Sequence, residues 1–142
     1  MSDEAIKPLN WKPAPNIGYT VERRPDGGMH LIITDLSLAT LIHWREFSLQ
    51  HLYNSDRLTR NLYDLRQVQS IPEEAIRYAI EVNNDPAARN IHLAVVVGNE
   101  AVRQAIQQIA DLTNSPVGVE MAIFTDLDEA NNWLDRPLTK II

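Results

Sequence analysis

The sequence predicts an α/β domain: a single-domain sandwich on a mixed five-stranded sheet, its first strand antiparallel and the others largely parallel, with about four helices. Three observations predict it. Two strand-like runs flank Pro25-Asp26-Gly27-Gly28 near the amino terminus, the signature of a β-hairpin. After the hairpin the chain alternates helical and strand periods, which favours parallel neighbours joined by right-handed crossovers. "IHLAVVV", residues 91 to 97, is apolar almost throughout, as a central strand covered on both faces should be.

The elements follow in order. Residues 1 to 17, with Pro8, Pro13 and Pro15, carry neither period and read as an extended tail ahead of a domain over 18 to 142, with Trp11 placed to pin the tail. "GYTVERR" and "MHLIITDL" are the hairpin strands. Helices are expected over 37 to 54, 72 to 84, 100 to 113 and 127 to 134, and strands over 58 to 65, 91 to 97 and 119 to 124. Val102, Ala105, Ile106, Ile109 and Leu112 recur at steps of three and four and give the third helix one core-facing stripe; Ile76, Ala79 and Ile80 do the same for the second, less strongly. Pro72 suits the first turn of a helix, where its missing N–H is not needed, and Glu73 and Glu74 put negative charge at the positive end of the helix dipole. Asp126, followed three residues later by Glu129, is a capping signal for the last helix.

The first helix, "SLATLIHWREFSLQHLYN", offers two faces. One stripe holds Leu38, Leu41, Ile42, Leu49, Leu52 and Tyr53 and is expected to face the sheet, which leaves Thr40, Trp44, Phe47 and His51 on the far side. Aromatics grouped on a wet face imply a cover: a protein partner, a second copy of the chain, or the amino-terminal tail. Trp44, Phe47 and His51 are therefore the candidate interaction surface.

Bulk properties narrow the function. A chain of 142 residues, 44% hydrophobic and 23% charged, has the length and composition of one soluble globular domain. Its 19 acidic and 13 basic side chains give a net charge of −6, which repels nucleic acid unless a basic patch is concentrated somewhere. Arg57, Arg60 and Arg66 come closest, but Asp56 and Asp64 interrupt them. The absence of cysteine excludes a thiolate nucleophile and a Cys-type zinc site and suits a reducing compartment. No apolar run approaches the roughly 20 residues of a membrane span. The expectation is a cytoplasmic protein with no nucleic-acid partner and no membrane insertion.

Catalytic patterns are absent or have a structural explanation. No G-x-S-x-G occurs, and neither Ser37 nor Ser48 follows a strand at a glycine turn. His30, His43, His51 and His92 include no i, i+4 pair that would put two ligands on one helical face. Val97-Gly98-Asn99-Glu100 has one glycine and an acidic first turn, a helix start more than a phosphate cradle. Asp35, Asp64 and Asp126 sit near the ends of strands, where three converging carboxylates would suit magnesium. Two of them also have a plainer role: Asp126 as a helix cap, and Asp64 as an acceptor for the helix start at 72 to 74. No enzyme, cofactor or metal is expected.

"NLYDLR" then a helix, "IHLAVVVG" then a helix, and the closing "MAIFTDLDEANNWL" resemble the STAS-like group, which includes the anti-sigma-factor antagonists and SpoIIAA-like proteins related to the lipid-binding SEC14 fold. The resemblance spans roughly residues 18 to 135. It implies a non-enzymatic module that acts by binding, either an unidentified protein partner, a second copy in a homodimer included, or, as in SEC14-like relatives, a small apolar or lipid ligand. In the antagonists the strand matching "YDLRQV" leads to an Asp-Ser-Ser-Gly turn whose serine is phosphorylated. Here the corresponding place is Ile71-Pro72-Glu73-Glu74, and Ser70 is the nearest hydroxyl, so the phosphorylation switch does not carry over. Asp64, Ser70, Glu73 and Glu74 remain a switch-like loop, with two alternatives: a plain helix start, or glutamates that mimic the phosphorylated state.

Overall fold

The computed structural model of the chain describes residues 11, 12, 14–54, 59–85, 91–113 and 119–135, and no side chain at 52–54. The hairpin is β1 (Tyr19–Arg23) and β2 (Met29–Ile33), antiparallel, with Tyr19 opposite Ile33 and Arg23 opposite Met29. Its turn closes by Gly27 N–H donating to Arg24 O at 2.9 Å, and Gly27 takes φ 92°, a conformation open to glycine because it lacks a Cβ. Gly28 is also required: a Cβ there would stand 1.7 Å from the carbonyl oxygen of Arg60.

The chain then runs α1 (Leu38–Asn54), β3 (Thr59–Leu65), α2 (Glu73–Asn83), β4 (Ile91–Val97), α3 (Glu100–Asp111), β5 (Val119–Phe124) and α4 (Leu127–Asp135). The five strands lie in sequence order, with β2 to β5 parallel, and β4 is interior between β3 and β5. This is the mixed sheet read from the sequence. Three successive right-handed crossovers stepping in one direction deliver their helices to one face. Accordingly α1, α2 and α3 pack with the strand positions Leu31, Leu65, Val95 and Val97, while α4 covers Leu62, Ala94 and Val96 on the other face with Ala130 and Leu134.

Several local signals appear as drawn. Asn99 caps α3, its Oδ1 accepting from Val102 N–H at 2.8 Å, and Asp126 Oδ2 accepts from Glu129 N–H at 3.0 Å. Leu112 falls just past the end of α3 and is exposed, so the stripe of that helix ends at Ile109. Trp11 packs on Tyr19 with ring centroids 5.7 Å apart. Residues 1–10, Pro13 and the side chains of Leu52 and Tyr53 lie outside the described residues. A buried arginine, Arg24, ties the hairpin turn to α4 by donating to Asp26, to Asn131 Oδ1 at 2.6 Å and to Asp135 Oδ1 at 3.0 Å. Among the described residues, no helix is long and apolar enough to cross a membrane.

The face of α1 corrects the sequence reading. Thr40 is 1% exposed and Trp44 and Phe47 pack against the sheet-side core, whereas Leu38 and Ile42 are 57% and 43% exposed. Leu41 is buried and Leu49 packs on the core, so the expected stripe is right at those two positions and wrong at its outer edge. The reason is polar satisfaction. Thr40 Oγ1 accepts from Gly18 N–H at 2.8 Å and its hydroxyl donates to Asp35 Oδ2 at 3.2 Å, so a residue that looks wet stays bonded when buried.

Candidate functional site

The loop after β3 is held by its own turn. Asp64 Oδ1 accepts from Arg66 N–H at 3.1 Å and from Arg66 Nε at 2.9 Å, and Asp64 Oδ2 accepts from Arg66 at 2.8 Å. The Arg66 guanidinium lowers the Asp64 carboxyl below its ordinary value, against the opposing effect of burial. Asp64 therefore serves Arg66 and not the helix start at 72 to 74, which corrects the sequence expectation. Pro72 occupies the cap of α2 without any side-chain cap bond, and Ser70, Glu73 and Glu74 are exposed. Val68 is buried and Ile71 packs on the core, so the loop is anchored by its apolar residues. A close approach binds it to the next strand end: a Cβ on Gly98 would meet Arg66 O at 2.8 Å, and Asn99 Nδ2 donates to Gln69 O at 3.2 Å.

The other candidates separate. Asp35 Oδ2 accepts from Ser37 N–H at 3.1 Å, and its carboxyl lies below the ordinary value chiefly because of that residue's hydroxyl and amide. With Asp64 on Arg66 and Asp126 on Glu129, the three carboxylates each close a local turn. Among the described residues no group of three His, Asp or Glu is disposed to hold a metal ion. His43 Nδ1 pairs with Tyr19 Oη at 2.7 Å and His92 Nε2 lies 3.1 Å from Glu120.

What the structure does bring together is an apolar space between α1, α2, α3 and the sheet. Toward the carboxyl ends of the parallel strands a cavity of about 70 Å³ opens among Ile33, Leu36, Leu41, Ile71 and Ala75, with almost wholly apolar walls. Toward their amino ends a second, of about 80 Å³, is lined by Ile91, Leu93 and Met121 and by the polar side chains Ser48, His51, Asn61 and Asn83. Trp44, Tyr63, Leu65, Ala79, Ile106 and Ile109 line both. Trp44 Nε1 donates to Tyr63 Oη at 3.1 Å across the boundary. Burial raises the Tyr63 phenol above its ordinary value, so it stands as a neutral hydroxyl.

His51 completes the amino-end cavity. Its ring stacks on Phe47, 6.2 Å between centroids, and its Nε2 is buried with no hydrogen-bond partner. Burial, followed by the nearby positive charge of Arg23, lowers its pKa below the usual 6.5 and keeps the ring neutral. Trp44, Phe47 and His51 are thus neighbours, as the sequence grouped them, but Trp44 and His51 line a cavity and Phe47 packs on the core beside them. The cavities themselves had no signature in the sequence; the one available hint was aromatic and polar side chains sharing a helical face.

Searches of protein-family models, of curated proteins and of solved structures found no match to this chain.

Proposed function

We propose that this chain is a non-enzymatic, STAS-like binding module that holds a small apolar molecule between its helices and its sheet, in the manner of SEC14-like relatives. The observation that carries the proposal is the pair of cavities meeting at Trp44 and Tyr63, because ligand sites are concave, largely apolar and supplied with a few placed polar groups. At roughly 10–15 Å³ for each water-sized occupant the cavities have space for about five to eight apiece, each below the roughly 300 Å³ of a drug-sized site, which limits the occupant to a small molecule. A non-enzymatic role is supported by the strand-end carboxylates, each already committed to a turn.

Docking of a partner or a second copy through Trp44 and Phe47 is less favoured, because both rings are spent on the protein's own core. The large apolar side chains exposed among the described residues are Leu38, Ile42 and Leu112, none of them aromatic. Toluene titration followed by the methyl resonances of Ile106 and Ile109 tests the binding proposal. Saturable shifts at both residues are expected; shifts that stay linear in toluene or are absent reject it.

A further inference from the structure

We infer that the two cavities are halves of one channel for a single unbranched alkyl chain ending in a neutral polar group, with Trp44 as the movable divide. The inference rests on the ligand-binding proposal above and adds the ligand's shape, its chemistry and the residue that sets its length.

The shape follows from strand register. The amino-end cavity runs from Ile91 on β4 to Leu65 on β3, the register partner of Val97, and the carboxyl-end cavity continues from Leu65 to Ile33 on β2. Six residues of parallel strand advance about 20 Å, so the two spaces together run obliquely over the sheet from β4 toward β2. With C–C bonds of about 1.5 Å, a zigzag chain of roughly ten to fourteen carbons covers most of that distance. A rounded ligand uses one cavity and leaves the other empty.

The divide is one side chain. Trp44 meets Tyr63 edge to face, with centroids 6.3 Å apart and planes at 89°, and makes its single hydrogen bond there. The other shared residues, Leu65, Ala79, Ile106 and Ile109, are aliphatic and would flank the chain as Trp44 swings aside. Apolar contact with the incoming chain replaces the lost ring contact.

The polar end belongs in the amino-end cavity. Ser48, His51, Asn61 and Asn83 line it, and among the described residues no Lys, Arg, Asp or Glu lines either cavity. Asn61 Oδ1 is occupied by Met29 N–H at 3.1 Å and Asn83 Nδ2 by Thr113 Oγ1 at 3.2 Å, while His51 Nε2 is unsatisfied. A hydroxyl can both donate and accept, so it suits a neutral imidazole in either tautomer, whereas a carboxylate would lose its hydration with no cation among the lining residues.

The test uses the intact protein with 1-hexanol, 1-decanol and decanoate, observed through the indole N–H of Trp44 and the methyls of Ile71 and Ile91, which report the two ends. The expected result is decanol binding at least about tenfold tighter than hexanol, since each buried methylene adds affinity. Decanol should move both isoleucines and shift the Trp44 N–H, and decanoate at pH 8 should bind at least about tenfold more weakly than decanol. A Trp44→Leu variant should widen the decanol preference. If decanol binds no tighter than hexanol, or leaves the Trp44 N–H and one isoleucine unmoved, the single channel is refuted while hexanol binding still upholds the simpler ligand proposal. Equal binding of decanoate refutes the neutral end. If neither the alcohols nor toluene binds, both proposals fall together.

Discussion

The indole of Trp44 donates its N–H to the phenolic oxygen of Tyr63 at 3.1 Å, joining the middle of α1 to the middle of β3. The contact serves two ends. It satisfies an indole donor that would otherwise be buried unpaired, and it separates two apolar spaces that share the same walls. Stability and ligand access therefore meet in one pair of side chains.

Tyr63→Phe isolates the hydrogen bond from the packing. The ring remains, but Trp44 Nε1 loses its acceptor in an apolar setting, and the expected cost is about 1–2 kcal/mol in urea unfolding. The transition should remain cooperative, and the Trp44 indole N–H resonance should move upfield. An unchanged midpoint would mean that water or another group satisfies the indole.

Thr40→Val tests the reason that α1 turns its mixed face to the sheet. The methyls fit the buried position, but Gly18 N–H loses the acceptor it holds at 2.8 Å. A loss of about 1–3 kcal/mol is expected, whereas Thr40→Ser should recover most of it by restoring the hydroxyl. Equal stability of the Val and Ser variants would remove polar satisfaction as the cause.

The difference between what could and could not be read from the sequence lies in the range of the interactions. The strand "IHLAVVV" announces its central place because both of its faces are covered, and α3 announces its face because Val102, Ile106 and Ile109 share it without polar intruders. In α1 the buried side carries Thr40, Ser48 and His51, and apolar residues occur on both sides, so periodicity alone chooses poorly. The correct choice depends on Gly18, Asp35 and Tyr63, each outside α1. Asp64 failed as an expected helix acceptor for a related reason: Arg66, two residues away, presents both its amide and its guanidinium before the helix amides can compete. Cavities are harder still, since they are defined by where side chains from three helices and the sheet do not reach.

Glu73 and Glu74 make a separate prediction about the loop. Both are exposed in the first turn of α2, where negative charge opposes the helix dipole favourably, at about 0.3–1 kcal/mol each. Changing both to Gln should lower stability by about 1 kcal/mol and leave alcohol binding untouched, because neither residue lines a cavity. A changed affinity for decanol at constant stability would instead revive the idea that these glutamates set the state of the loop.

The last prediction concerns pH. His51 is buried against Phe47 with Arg23 nearby, and both burial and that charge disfavour its protonated form in the folded protein. The unfolded chain titrates near 6.5, above the folded value, so between the two the unfolded state binds more protons and acid favours unfolding. Stability due to a neutral His51 should be complete at pH 7.5 and decline as the pH falls below 6.5. Asp64 contributes a lower limb: its folded value is depressed by Arg66, so its stabilisation is full above the ordinary 3.8 and is lost as pH falls through the folded value. Urea midpoints of the wild type between pH 7.5 and 5.5 should therefore fall, and His51→Phe, which keeps a stacked ring on Phe47, should flatten that fall. Asp64→Asn should leave the upper limb intact and flatten the curve below pH 4. If His51→Phe tracks the wild type over the upper range, the ring accepts its proton without penalty, and the neutral imidazole that the polar end of the channel requires is not maintained.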